Sequence, residues 1–144
     1  MERNDTIELL KECDAGTRMA VSSIDDVLDY VKNERLLSVL ENSKSHHKKL
    51  ESEIHEMLQK KGFSGKNPPV MASGMSWMKT NVMLSMEQSD ATIADLMTDG
   101  CNMGIKSLSR YMNQYKAADE RSKDLAKRLI SAEEKLSKNM RQFL

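Results

Sequence analysis

Apolar positions recur three or four residues apart over most of the chain, the period of one face of a helix. The first run takes in Ile7, Leu10, Cys13, Thr17, Ala20/Val21, Ile24, Val27/Leu28 and Val31. Asn4 or Asp5 can cap its free amides. The stripe restarts in a new phase at Leu36/Leu37, so the pattern predicts a helix over about residues 5–32. The second run continues through Leu40, Ser43/Lys44, His47, Leu50, Ile54 and Met57/Leu58. It stops at Lys61-Gly62, where late basic residues followed by glycine form a C-terminal signal. That predicts a helix over about 35–61. With only a residue or two between them, the two should pack as an antiparallel hairpin.

The character changes from about residue 62 to 88. Gly62-Phe63-Ser64-Gly65-Lys66-Asn67-Pro68-Pro69 cannot be regular helix, because paired prolines remove donors and clash. A short helix near Trp77, capped by Ser73 or Ser76, is expected within the stretch that follows. So long a connection inside a compact domain needs a reason, and crossing a bundle supplies one. The main helices measure roughly 39 Å at 1.5 Å per residue, and Gly62 to Gly74 reaches about 43 Å when extended.

A third stripe, Ile93, Leu96/Met97, Gly100, Met103/Gly104, Leu108, Tyr111 and Tyr115, predicts a helix over about 89–116 capped by Ser89 or Asp90. The fourth, Leu125, Leu129, Ala132, Leu136, Met140 and Phe143, predicts one over about 119–143. Its opposite face, with Lys123, Lys127, Arg128, Glu134, Lys135 and Lys138, suits solvent. The plan is one domain, residues 1–144, all-α: a four-helix bundle with one long crossover between its second and third helices.

Composition narrows the function. Aromatic residues are only 4% of the chain, which favours helices over a β-sandwich. Twenty-two basic groups balance 22 acidic ones, so the footprint of a nucleic-acid binder is missing and membrane-surface attraction has no support. No apolar run is long enough to span a bilayer, and Met1-Glu2-Arg3-Asn4-Asp5 lacks the apolar region of a secretory signal. Two cysteines, Cys13 and Cys101, are no disulfide framework, and a cytoplasmic protein is expected.

With this helix order the chain resembles the ferritin-like superfamily, above all its small bacterial members of about this length. The resemblance covers nearly the whole chain. It rests on helix lengths, the crossover with its Trp77 helix, the Asp14-Ala15-Gly16 segment, and Asp99-Gly100-Cys101-Asn102 leading to Tyr111. Metal-binding members carry mid-bundle carboxylates on two helices and Glu-x-x-His on the other two. The matching positions here are Gly16 and Thr17, Lys44 three residues before His47, Gly100-Cys101-Asn102, and Glu133 followed by Leu136 rather than histidine. Every helix departs from the pattern, so no di-iron site and no cofactor are expected. His47, Glu133 and Cys101 remain only as weak remnant metal candidates.

His47 on an apolar stripe reads first as a buried, internally bonded histidine. His46 and His47 point about 100° apart and cannot readily chelate one ion. Cys13 and Cys101 read as small core residues. Gly16, mid-helix, implies either close approach of a neighbouring helix or a tolerated weak spot. Twelve methionines are many, and Met75, Met78 and Met83 gather with Trp77 in the crossover, as adaptable packing or as an interface. Neither a nucleophile elbow nor a phosphate loop is present, so no catalytic residue is assigned. Two expectations follow. The first is a non-enzymatic bundle acting through self-association, as a homodimer, or through protein binding. The second is a bundle with an unconventional metal or small-ligand site, where Gly16, Thr17, Gly100 and Gly104 leave a central pocket facing His47.

Overall fold

The computed structural model describes residues 2–63, 77–85 and 87–144, and their side chains apart from those of residues 2, 3 and 77. Secondary structure among the described residues is helical, with no strand. The elements are α1 (Glu2–Leu28), α2 (Glu34–Lys60), α3 (Trp77–Leu84), α4 (Asp90–Gln114) and α5 (Glu120–Met140), then a 3-10 turn, Arg141–Phe143. No described helix is long and apolar enough to cross a membrane.

Helix ends follow from where their free backbone groups find partners. Asp5 lies inside α1 rather than ahead of it. Its carboxylate accepts a hydrogen bond from the Ala117 N–H at 2.9 Å, and the Thr6 hydroxyl accepts one from the Asp119 N–H at 2.8 Å. These two contacts tie the start of α1 to the α4–α5 connection. At its other end α1 stops at Leu28, short of the expected residue 32. The cause is distant in sequence: both carboxylate oxygens of Asp90, at the start of α4, accept from the Lys32 and Asn33 N–H groups, at 2.9 and 3.0 Å. Asn33 in turn caps α2, its side-chain oxygen accepting from the Arg35 and Leu36 N–H groups at 2.8 and 3.1 Å. The connection therefore uses residues 29–33, not one or two.

The sequence signal at the end of α2 has a clear physical form. Gly62 takes φ +78°, its N–H donates to Gln59 O at 2.9 Å, and the Phe63 N–H donates to Leu58 O at 3.0 Å. That is the Schellman arrangement, which favours glycine at the left-handed position. Ser89 caps α4 by accepting from the Thr92 N–H at 3.2 Å, and Asp119 caps α5 by accepting from the Ser122 N–H at 2.8 Å. Ser73 and Ser76, the expected caps of the short helix, lie outside the described residues, as does Met75.

The buried apolar side chains form two clusters. One joins Leu9 and Leu10 of α1, Leu50, Ile54 and Leu58 of α2, Leu108 of α4, and Leu125 and Leu129 of α5. The other joins Ile24 and Val27 of α1, Leu36 and Leu40 of α2, Ile93 and Met97 of α4, and Leu136 and Met140 of α5, with Met78 and Val82 of α3 added. Each cluster thus gathers opposite ends of α1 and α2, so these run antiparallel; α4 and α5 do likewise. A leucine wholly removed from water, such as Leu10, Leu50 or Leu129, contributes about 2 kcal/mol. The α1–α2 and α4–α5 pairs pack along their lengths, and α5 also lies against α1 and α2. Contact between α1 and α4 is sparser. That looser seam matters for the site.

Candidate functional site: a buried polar layer and its cavity

Between the two apolar clusters, at the middle of the long helices, the chain buries Asp14, Thr17, His47 and Glu133. Their positions follow from helical spacing. His47 stands three residues before Leu50 on the buried stripe of α2, and Glu133 stands four after Leu129 and three before Leu136 on that of α5. Asp14 is likewise four after Leu10 and three before Thr17. A polar residue at such a position is carried into the core by its apolar neighbours and must find a partner there.

His47 finds two. Nδ1 lies 2.8 Å from the carbonyl oxygen of Ser43, and Nε2 lies 3.0 Å from Glu133 Oε1. The carbonyl and the carboxylate are acceptors, and the Ser43 hydroxyl, 3.3 Å from Nδ1, can accept as well as donate, so both shorter contacts are satisfied when both ring nitrogens carry hydrogen. Burial disfavours the charged ring, but the Glu133 hydrogen bond, the Glu133 charge and the Ser43 carbonyl outweigh it and raise the His47 pKa above the ordinary histidine value. His47 is 0% exposed and Glu133 only 7%, so the pair is closed to water, and with His47 protonated it is a desolvated ion pair.

The rest of the layer supports the pair. Cys101 donates its thiol hydrogen bond to Glu133, and burial first, then the Glu133 charge, pushes that thiol far above its ordinary range. Cys13 is pushed up to about 12 by burial and by the charges of Glu12 and Asp14. Both cysteines are free, buried and, in this state, poor nucleophiles. Thr17 donates to the Asp14 carbonyl at 2.9 Å, and the Asp14 carboxylate pairs with Arg18 at 3.4 Å.

Lys44 does not point into the centre: it forms an ion pair with Asp25 on α1. His46 is exposed and borders a separate crevice of about 150 Å³ with Asn42, Lys135 and Asn139, on the α2–α5 side. The two adjacent histidines therefore serve different surroundings. Among the described residues, no three His, Cys, Asp or Glu side chains are placed to hold a metal ion.

The loose α1–α4 seam contains a cavity of about 410 Å³. From α1 it is lined by Ala15, Gly16 and Ala20, and from α4 by Gly100, Cys101 and Gly104. Met78, Met97, Leu129 and Leu136 supply much of its apolar wall, and Glu133 reaches it from α5. Met19 and Met103, both lining residues and both exposed, mark the side on which it opens. Of the four expected pocket residues, Gly16, Gly100 and Gly104 line this cavity, whereas Thr17 is turned to its own helix. Met78 is buried in the chain's core, Met83 is exposed, and Trp77 begins α3.

The three helical glycines are informative because nothing in the backbone demands them. A Cβ at Gly16 would sit 3.5 Å from Leu129 Cδ2, at Gly100 3.7 Å from Met78 Cε, and at Gly104 3.7 Å from Glu133 Cδ, all ordinary contacts. Close helix approach therefore does not explain Gly16. Each glycine costs its helix about 1 kcal/mol relative to alanine, and what the three share is the cavity wall. Compared with known proteins, the chain matches no family model, and no curated protein is similar to it.

Proposed function

We propose that this chain is a non-enzymatic small-ligand-binding protein. Its architecture would be a ferritin-like four-helix bundle with a long crossover, and its compartment the cytoplasm. The pairing of helix ends in the two apolar clusters supports that topology, because α2 finishes at one end of the molecule and α4 begins at the other. In place of a metal centre it would carry the His47–Glu133 layer and the adjoining cavity.

The cavity is the observation that carries this reading. A space of about 410 Å³ falls in the size range of small-molecule sites, which are typically apolar with a few placed polar groups. Three residues on its wall keep it open at a cost in helix stability. The test is saturable binding of a neutral fluorescent probe, N-phenyl-1-naphthylamine, to the full chain. A Gly100→Leu variant, checked for helicity, would place its side chain toward the flexible Met78 methyl and fill the space. Stoichiometric binding to the wild type and its loss in the variant are expected. No saturable binding, or equal binding by both proteins, would refute the reading.

Self-association as a homodimer has one separate observation in its favour. Met83 and Leu84, adjacent on α3, are 51% and 78% exposed, and such neighbouring apolar side chains are candidates for an interface. Light scattering on wild type and on Met83→Ser/Leu84→Ser decides this: a dimer mass that falls to the monomer in the double variant supports it.

A further inference from the structure

We propose that the cavity selects an organic cation: an amine on an apolar body, with its ammonium group against Glu133 Oε2. The inference rests on the ligand-binding reading above and deepens it.

Three observations converge on this chemistry. First, the charge on the wall is one-sided. The described lining residues include Glu12 and Glu133 and no lysine, arginine or histidine. Nearby positive groups sit behind the wall: His47 holds Glu133 Oε1 from the α2 side, and Arg18 is engaged with Asp14. Second, the remaining carboxylate oxygen faces the cavity. Glu133 lines the cavity, and its Oε2 lies 3.9 Å from the point a Cβ would occupy at Gly104, so no side chain at position 104 stands over that oxygen. An ammonium arriving there would complete a carboxylate held between two cations, a stronger donor set than His47 and the Cys101 thiol supply now. Third, the surrounding wall is apolar and rich in polarizable thioether groups, with Tyr111 also lining it. A methylene or aromatic body is accommodated there, and the low-dielectric setting strengthens the charge contact. A carboxylate ligand would meet Glu133 and Glu12 with like charge.

The experiment uses three probes on one skeleton: 4-phenylbutylamine, 4-phenylbutan-1-ol and 4-phenylbutyrate. Each competes with N-phenyl-1-naphthylamine for the full-length protein and for Glu133→Gln and Glu12→Gln. The glutamine at 133 keeps an oxygen for the His47 N–H, and circular dichroism checks that the variant folds. The expected result is displacement by the amine at a concentration at least tenfold below the alcohol, with the carboxylate weakest. In Glu133→Gln the amine should fall to the level of the alcohol, while the alcohol changes less than threefold. Equal displacement by amine and alcohol in the wild type would overturn the cation inference and leave the pocket reading standing. An amine preference that survives Glu133→Gln but disappears in Glu12→Gln would overturn the assignment to Oε2. Failure of the dye itself to bind would remove the pocket reading, and this inference with it.

Discussion

Replacing His47, Glu133 and then both by leucine turns the central ion pair into a measurable coupling energy. The pair is closed to water on both sides, with the His47 side chain 0% and the Glu133 side chain 10% exposed and Nε2 3.0 Å from Oε1. Removing one partner strands the other in the core, which costs about 3–5 kcal/mol. Glu133 left alone would keep the Cys101 thiol, and His47 left alone would keep Ser43, so the lower half of that range, about 3 kcal/mol, is expected for each single variant. Replacing both by apolar groups is often close to neutral, so the double variant should lose about 1 kcal/mol or less. The cycle then yields a coupling well above 2 kcal/mol. The same molecule offers its own control. Arg128 of α5 and Glu53 of α2 form a two-pronged pair at 2.8 and 3.2 Å across the same two helices. Their side chains are 45% and 48% exposed, and solvent screening limits such pairs to about 0.2–1 kcal/mol. Urea unfolding followed by helical circular dichroism measures all the corners. A buried coupling no larger than the surface one would refute the claim that this layer is a desolvated ion pair.

Glycine substitutions should go in opposite directions. Gly62→Ala, at φ +78°, should destabilise by about 1 kcal/mol, whereas Gly104→Ala should stabilise by about the same amount while weakening dye binding; thermal melts separate the two signs. The pH dependence follows from the raised His47 pKa: the unfolded group titrates near 6.5, so its stabilisation is fully present below that pH and is lost as pH rises through the higher folded value. Subtracting the urea-derived stability of His47→Gln from that of wild type at each pH should expose this decline, and a flat difference would count against it. Asp90→Ala removes the acceptor of the Lys32 and Asn33 amides, and should cost about 1–2 kcal/mol. Loss of hydrogen-exchange protection at those two amides is the direct readout.

What was legible in the sequence was whatever depends on local spacing. The stripes of α2 and α5 locate their buried faces almost residue by residue, including His47, and Lys61-Gly62 marks a helix end that the backbone realises as a Schellman turn. Position 133 was recognisable as central and was grouped with His47 and Cys101 as a weak metal candidate, but the direct His47–Glu133 bond was not legible, because residues 47 and 133 meet only through tertiary packing. The end of α1 was misjudged for the same reason: Asp90 lies far along the chain from the amides it holds. Lys44 misled in another way, since its long side chain reaches out from a half-buried position to Asp25 instead of following the stripe inward. Gly16 marked a break in the apolar stripe of a helix that is in fact continuous, without revealing the cavity it lines.

The division of the core into two apolar clusters has a consequence for uniqueness. Leucine and methionine contacts are forgiving, and a helix displaced along its neighbour by one turn, about 5.4 Å, could rebuild many of them. His47 could not follow that slip without leaving Glu133 buried and uncompensated. The pair therefore acts as a pin setting the height of α2 against α5. With the Asp90 clamp joining the α1–α2 connection to the start of α4, it restricts the sliding that an all-leucine interior would tolerate.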